Sequence, residues 1–191
     1  MVRAYHLILT CYGFWLPNDP RGSYSSRVWS DAIRQFGEAT KVNTHRSIAH
    51  RQHDHNARRA AKQALLRSPV RFNGKQAQCV AKAIGDIATR HQLSVRACAV
   101  MPDHTHVVVD RHTTIDAEGM IQRFKAKATQ SLNAASLGFD GTPWSKGRWI
   151  VYLNTPEDVE RATLYVEQNP IKAGLRPQHW SFVQPSRNRD G

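Results

Sequence analysis

Apolar residues recur along this chain with two different periods, and the switches between them lay out the elements. In RAYHLILTCY, residues 3–12, Tyr5, Leu7, Leu9 and Cys11 alternate with His6, Ile8 and Thr10. Both sets contain apolar members, which predicts a strand buried on both faces near the middle of a sheet. From Gln76 to His91 the spacing becomes helical, with Ala77, Val80, Ala81, Ile84, Ile87 and Ala88 on one side. Residues 94–101 alternate again, Pro102-Asp103 supplies a tight connection, and 104–110 returns as a second strand, so a hairpin is expected. A helix follows over about 116–135, with Met120, Ile121, Phe124, Ala128 and Leu132 on its apolar face, and RWIVYL at 148–153 is a further short strand.

Thr155-Pro156-Glu157-Asp158 carries the signals of a helix start: a hydroxyl N-cap, a proline at the first helical position, then acids. Val159, Ala162, Thr163 and Val166 form its packed stripe. Asn169-Pro170 is expected to end it, because proline disfavours helical backbone at the residue before it. Residues 18–74 show no sustained period beyond a short helix expected near 56–66, and the tail from Ser186 is polar. One domain over 1–185 is therefore expected, carrying a long basic insertion at about 18–74. The order strand, insertion, helix, hairpin, helix, strand, helix predicts an α+β sandwich, with helices segregated against a mostly antiparallel sheet.

The 191 residues suit one domain with a sizeable core. Charge changes the picture more: 27 Lys and Arg against 15 Asp and Glu give a formal +12. So one-sided a balance concentrates and steers polyanions, and nucleic acid is expected ahead of a ribosome or a membrane surface. Cys11, Cys79 and Cys98 lie far apart without C-x-x-C spacing. They argue against a cysteine zinc site or a disulfide framework and suit a reducing compartment. No apolar run approaches membrane-spanning length and no signal-peptide pattern is present, so a cytoplasmic location is expected. No GxxxxGK[ST] segment marks a nucleotide-driven step.

The chemistry concentrates in two segments. In MPDHTHVVV, residues 101–109, His104 and His106 stand at i and i+2 of a strand. Their side chains share a face with Cα atoms roughly 6.6 Å apart, so both imidazoles can reach one metal ion. Such a pair suits zinc, manganese, nickel or cobalt, and magnesium only with oxygen partners. An H-x-H pair alone is commonly fortuitous: His53 and His55 repeat it inside the aperiodic insertion and read as surface or phosphate-contacting residues. In TLYVEQNPIKAGL, residues 163–175, Tyr165 and Asn169 are helical neighbours on one flank of the packed stripe. Read separately, the tyrosine is an ordinary amphipathic residue and the asparagine an ordinary C-cap. The conjunction is more specific. A phosphodiester repels nucleophiles, so transesterification needs a cation at its non-bridging oxygen. A tyrosine, with a free pKa of about 10, attacks only when deprotonated or positioned. Two imidazoles, an amide oxygen and a tyrosine supply both requirements.

The segments YHLILT, MPDHTHVVV, IQRFKAKAT, TPWSKGRW and YVEQNPIKAGL resemble, in order and spacing, the REP-associated tyrosine transposases, which belong to the HUH single-tyrosine transposases of insertion sequences. The resemblance covers the N-terminal strand and residues 95–182. It implies a ferredoxin-like or RRM-like fold, with helices on one side of the antiparallel sheet. It implies His104, His106 and Asn169 as ligands of Mg²⁺ or Mn²⁺, and Tyr165 as the nucleophile. It also implies a single-stranded or hairpin DNA partner, in palindromic repeats, cut through a 5′-phosphotyrosine linkage by a monomer or homodimer. Thr105 departs from the bulky apolar residue usual between the histidines, the insertion is larger than in shorter relatives, and Gln168 is an alternative ligand.

Arg58, Arg59 and Lys62 in the insertion, with Arg67, Arg71 and Lys75, are expected to grip a DNA stem. Arg123, Lys125 and Lys127, and Lys172 beyond the tyrosine helix, are candidates for further phosphate contacts. Trp144 and Trp149 either stack on bases or anchor the core. Two other readings exist. One is a catalytically silent nucleic-acid-binding protein of the same fold. The other is a two-histidine phosphoesterase using His45-Arg46-Ser47 and His112-Thr113-Thr114.

Overall fold

The computed structural model describes residues 1–14, 16–17, 31–37 and 54–184. They fall into two compact units, residues 11–70 and residues 1–10 with 71–191. In the smaller unit, α1 (Asp31–Arg34) is a single turn and α2 (His55–Gln63) is the short basic helix expected there. Asp54 starts α2, its carboxylate accepting the amides of Asn56 and Ala57 at 2.9 Å each. Near the unit's ends the Val70 amide donates to the Tyr12 carbonyl at 3.0 Å, and the Arg67 guanidinium lies over the Tyr12 ring.

The larger unit is built on β1 (Ala4–Thr10), β2 (Val95–Val100), β3 (His104–Asp110) and β4 (Trp149–Leu153). They form one antiparallel sheet in the order β2-β3-β1-β4. Every residue of β1 is buried, as its two apolar faces predict. Helices α3 (Gly74–Arg90) and α4 (Ala117–Ala134) connect β1 to β2 and β3 to β4. This is the α+β sandwich that the element order predicts, of the ferredoxin-like or RRM-like kind that the resemblance implies, with basic insertions added. Asn73 caps α3 through a reciprocal pair: its side chain accepts the Gln76 amide at 3.0 Å while the Gln76 side chain accepts the Asn73 amide at 2.9 Å. Helices α3 and α4 pack together through Val80, Ile84, Met120, Phe124 and Leu132, all fully buried, and the sheet residues Leu7, Leu9, Val107 and Val109 are fully buried too. Each such side chain contributes roughly 1.5–3 kcal/mol of transfer free energy.

A third long helix, α5 (Pro156–Lys172), follows β4. Its Val166, with Val159 and Ala162, packs against Ala4, Ala97, Ala99, Val108 and Leu153. The three alanines leave room for a close approach to the sheet. The start is as expected: Thr155 caps the helix and Pro156 opens it. The end is not. The helix does not stop at Asn169-Pro170 but runs through the proline to Lys172. Proline forfeits one backbone bond to the preceding turn, and this one lies so near the end that only Ile171 and Lys172 follow it in the helix. Its ring is buried, which favours keeping it in place. The true stop is Gly174, whose φ of +72° is left-handed. There the Leu175 amide donates to the Pro170 carbonyl at 2.8 Å and the Gly174 amide to the Ile171 carbonyl at 2.9 Å, a Schellman closure. Asn169 is therefore a helical residue with a directed side chain, and Ala173 is the C-cap.

After α5 the chain returns along β2. Gln178 brackets Val100, accepting its amide at 2.8 Å and donating to its carbonyl at 2.9 Å. Trp180 donates to the Cys98 carbonyl and Val183 bridges Val95. An otherwise open sheet edge is thereby closed. Among the described residues, no helix is long and apolar enough to cross a membrane.

Candidate active site

The β1–β3 register sets the site. His6 pairs with Val108, Ile8 with His106 and Thr10 with His104. Directly opposed residues point to the same face, so His6, His104 and His106 all project on the side where Val108 meets α5. His104 Nε2 stands 2.9 Å from His106 Nε2, and His6 Nε2 stands 2.9 Å from His106 Nδ1. From α5, Tyr165 lays its ring edge-on to both inner histidines, with centroids 5.7 Å from His106 and 6.0 Å from His6. His106 is buried at 5% exposure, whereas Tyr165 is 47% exposed, so the hydroxyl-bearing ring meets solvent while its base rests on imidazole. Asn169 follows one turn later on the same flank.

Burial governs the charges. It strips water from His6 and lowers its pKa to about 4, with His104 adding repulsion. His106 is driven well below its ordinary value, by burial first and then by His104 and His6. Both rings are neutral at pH 7 and keep a lone pair. His104 Nδ1 lies 2.7 Å from the Asp103 carboxylate, which also faces Arg71 at 3.9 Å. Tyr165 is pushed above its ordinary pKa by burial, with Asn169 pulling the other way. That pull does not amount to a closed hydrogen bond: Asn169 Nδ2 is buried with no hydrogen-bond partner.

These residues fit a divalent cation. Two ring nitrogens held about 2.1 Å from one ion at a right angle stand about 3.0 Å apart, close to the 2.9 Å found between the two Nε2 atoms. Rotated by half a turn, the Asn169 carboxamide, whose buried Nδ2 has no hydrogen-bond partner, would turn its oxygen to where that nitrogen stands. Among the described residues, no three His, Cys, Asp or Glu side chains are arranged to hold an ion by themselves. His6 explains this in part, since its Nε2 addresses the far nitrogen of His106 rather than the shared space. Remaining ligands would come from amide, water or substrate.

The other expected residues are dispersed. Lys172 Nζ lies 6.0 Å from the Tyr165 ring centroid, beside the site. Lys125 Nζ donates to the Ser145 and Gly147 carbonyls at 3.0 and 2.8 Å, so it braces a loop. Lys127 faces Asp86 at 3.9 Å, and Arg123 donates back to the Gly119 carbonyl of its own helix. Lys125 also lines a cavity of about 440 Å³ with Trp144, Lys146 and Arg148. Arg58, Arg59 and Lys62 all lie on α2. Trp144 is buried, donates to the Lys125 carbonyl at 3.0 Å and meets Phe72 edge-on, so it anchors the core. Gln168 is exposed on α5 and shows no tie to the histidines. His112 accepts the Thr114 and Ile115 amides at 3.3 Å, a loop-shaping role, while His45, Ser47 and His53 lie outside the described residues. Two residues of the cluster, His6 and Asp103, lie inside the quoted segments YHLILT and MPDHTHVVV but received no role from the sequence. The signal for His6 was its place in the alternating set with Ile8 and Thr10.

The family model described as IS200-like transposase matches residues 65–169, more than half of the chain, a span that contains His104, His106, Tyr165 and Asn169. No curated protein matches. One similar solved structure is a REP-associated tyrosine transposase bound to a REP hairpin, at 19% identity and a TM-score of 0.46; the match covers 59% of this chain and 65% of that one. Another is a protein of Deinococcus radiodurans R1 classed as a candidate transposase, at 16% identity and a TM-score of 0.41, covering 92% and 93% of the two chains. Both likenesses are too distant to carry more than this. The family match, falling on the segment that holds the histidine pair and the tyrosine, places the chain in the IS200-like transposase family.

Proposed function

We propose that this protein cuts and rejoins single-stranded or hairpin DNA by metal-dependent transesterification at Tyr165. The observation that carries the proposal is the meeting of one half-exposed tyrosine with two histidines whose Nε2 atoms stand 2.9 Å apart. The Tyr165 oxygen attacks the scissile phosphorus, the bond from phosphorus to the 3′ oxygen breaks, and the tyrosine proton is given up as the leaving oxygen becomes a 3′-hydroxyl. The product is a 5′-phosphotyrosine linkage, and attack by a 3′-hydroxyl on that linkage reverses the reaction without nucleotide hydrolysis. His104, His106 and Asn169 would hold Mg²⁺ or Mn²⁺. Bound there, the cation supplies charge neutralisation at the phosphate and lowers the cost of a tyrosinate. That help is needed, because burial raises the pKa of Tyr165 and keeps it protonated at neutral pH.

Residues 1–185 would act as one catalytic domain, with the stretch at about 18–74 as its insertion. The net charge of +12 suits the polyanionic substrate. Lys172 is the cation best placed for the scissile region, with Arg58, Arg59, Lys62, Arg123 and Lys127 as flanking phosphate contacts and Lys125 bracing the loop at 145–147. Palindromic repeats are the proposed target, since a folded stem offers a duplex grip beside an unpaired strand. The test is covalent capture on end-labelled hairpin oligonucleotides with Mn²⁺ or Mg²⁺. An SDS-resistant adduct lost in Tyr165→Phe and in EDTA is expected. Tight hairpin binding with no adduct in the wild type would instead establish a silent DNA-binding protein.

A further inference from the structure

We propose that His6 is a positioning residue for the histidine pair, fixing the ring plane and tautomer of His106 so that its Nε2 lone pair is presented beside that of His104. The inference rests on the metal-site reading above and concerns a residue outside the segment that the family match covers, which begins at residue 65.

Four side chains form an unbroken line: Asp103 to His104 at 2.7 Å, His104 to His106 at 2.9 Å, and His106 to His6 at 2.9 Å. Proton positions along it are tightly constrained. The Asp103 carboxylate only accepts, so His104 carries a proton on Nδ1, and in the neutral ring Nε2 is then bare. A hydrogen bond between the two Nε2 atoms then requires the His106 proton on Nε2. His106 Nδ1 is consequently bare and accepts from His6 Nε2–H. For both Nε2 lone pairs to face a cation, His106 must instead carry its proton on Nδ1. That proton needs an acceptor in a site where His106 is only 5% exposed and water is scarce. His6 Nε2 is the acceptor, once its own proton resides on Nδ1. Each imidazole keeps one proton throughout, so the pair converts by tautomer exchange and releases none. A ring nitrogen bonded to a fixed partner is how ligating histidines are commonly oriented, and loss of such a partner typically weakens metal affinity about tenfold to hundredfold.

The geometry is specific about reach. His6 sits diagonally from His106, opposite Val108 on the paired strand, with ring centroids 5.0 Å apart. Only a side chain that places a polar atom where Nε2 stands can replace it: glutamine does so, asparagine is too short and leucine is apolar.

The experiment measures Mn²⁺ affinity of the full-length protein by electron paramagnetic resonance of free Mn²⁺, for wild type, His6→Gln, His6→Asn and His6→Leu. In parallel, ¹⁵N-histidine spectra follow the His106 tautomer without metal and with Zn²⁺. Affinity within about threefold of wild type is expected for His6→Gln, and a loss of about tenfold or more for His6→Asn and His6→Leu. The wild-type His106 signal should change from Nε2–H to Nδ1–H when Zn²⁺ is added. Wild type that binds no divalent ion would remove the metal site and the role of His6 together. Wild type that binds while all folded variants bind equally well would leave the metal site standing and overturn the role of His6. Should His6→Leu fail to fold, equal affinities for His6→Gln and His6→Asn overturn it alone.

Discussion

Acid should destabilise the metal-free protein through its buried histidines before its carboxylates begin to titrate. Folding lowers the pKa of His6 from 6.5 to about 4, chiefly because burial removes the water that would solvate the imidazolium. As pH falls below 6.5 the unfolded chain takes up this proton, whereas the folded chain refuses it until about pH 4. The unfolded state therefore gains stability across that window, and the stabilising contribution present above pH 6.5 is lost on the way down. One proton of difference corresponds to about 1.4 kcal/mol per pH unit, and integration from pH 6.5 to pH 5 gives about 1.6 kcal/mol for His6. His106 is displaced in the same direction and steepens the trend. A loss of that size is a considerable part of the roughly 5–15 kcal/mol that holds a typical domain together. The assay is urea unfolding in EDTA at half-unit steps across this range, for wild type and His6→Gln. The wild-type stability should fall with acidity more steeply than the variant's, by roughly 1 kcal/mol per pH unit. Parallel slopes for the two proteins would refute the reasoning, since they would mean His6 binds its proton equally in both states.

Three further outcomes follow from the same coordinates. Gly174→Ala forces a side chain into a left-handed backbone with φ of +72° and meets no neighbour within 4 Å, so its cost is backbone strain alone, about 1 kcal/mol by urea unfolding; an unchanged midpoint would mean that the Schellman closure does not hold the end of α5. Phe124→Ala removes a fully buried ring of α4 and should cost about 3–5 kcal/mol, read as a lowered melting temperature. Hairpin affinity should fall about a hundredfold between 50 and 200 mM salt if roughly four phosphates are neutralised, and a near-flat salt response would remove the basic residues from the DNA-binding role.

The fold was legible where the two periods of apolar residues contrast. The strands at 4–10, 95–100, 104–110 and 149–153 and the helices from Gly74, Ala117 and Pro156 fall within a residue or two of expectation. Each buries a distinct set of side chains, and burial is what periodicity reports. The end of α5 was misread because the signal used was local. A proline inside a helix weakens it, but this one stands near the end with its ring buried, and the Gly174 closure supplies a second, stronger stop within one turn. The stretch at 18–74 gave little from sequence beyond α2, since it offers no sustained period for burial to reveal.

The site was legible to the extent that its residues are close in sequence. His104 and His106 share a face through strand geometry alone, and Tyr165 and Asn169 share a flank through helix geometry alone. Bringing the pairs together, and adding His6, depends on how β1 registers against β3 and how α5 crosses them, which no short motif encodes. Yet the register itself has a physical origin in the same residues. A slip of one position would turn His6 and Thr10 into the fully buried layer now holding Leu7 and Leu9, and would bring those leucines round to the imidazoles. Each polar group so buried without a partner costs about 1–3 kcal/mol, and each exposed leucine forfeits its burial. The layer of leucines and valines on the other face of the sheet thus holds three histidines in hydrogen-bonding line on this one. Changes to Leu7 or Leu9 should therefore disturb the histidine cluster without touching it.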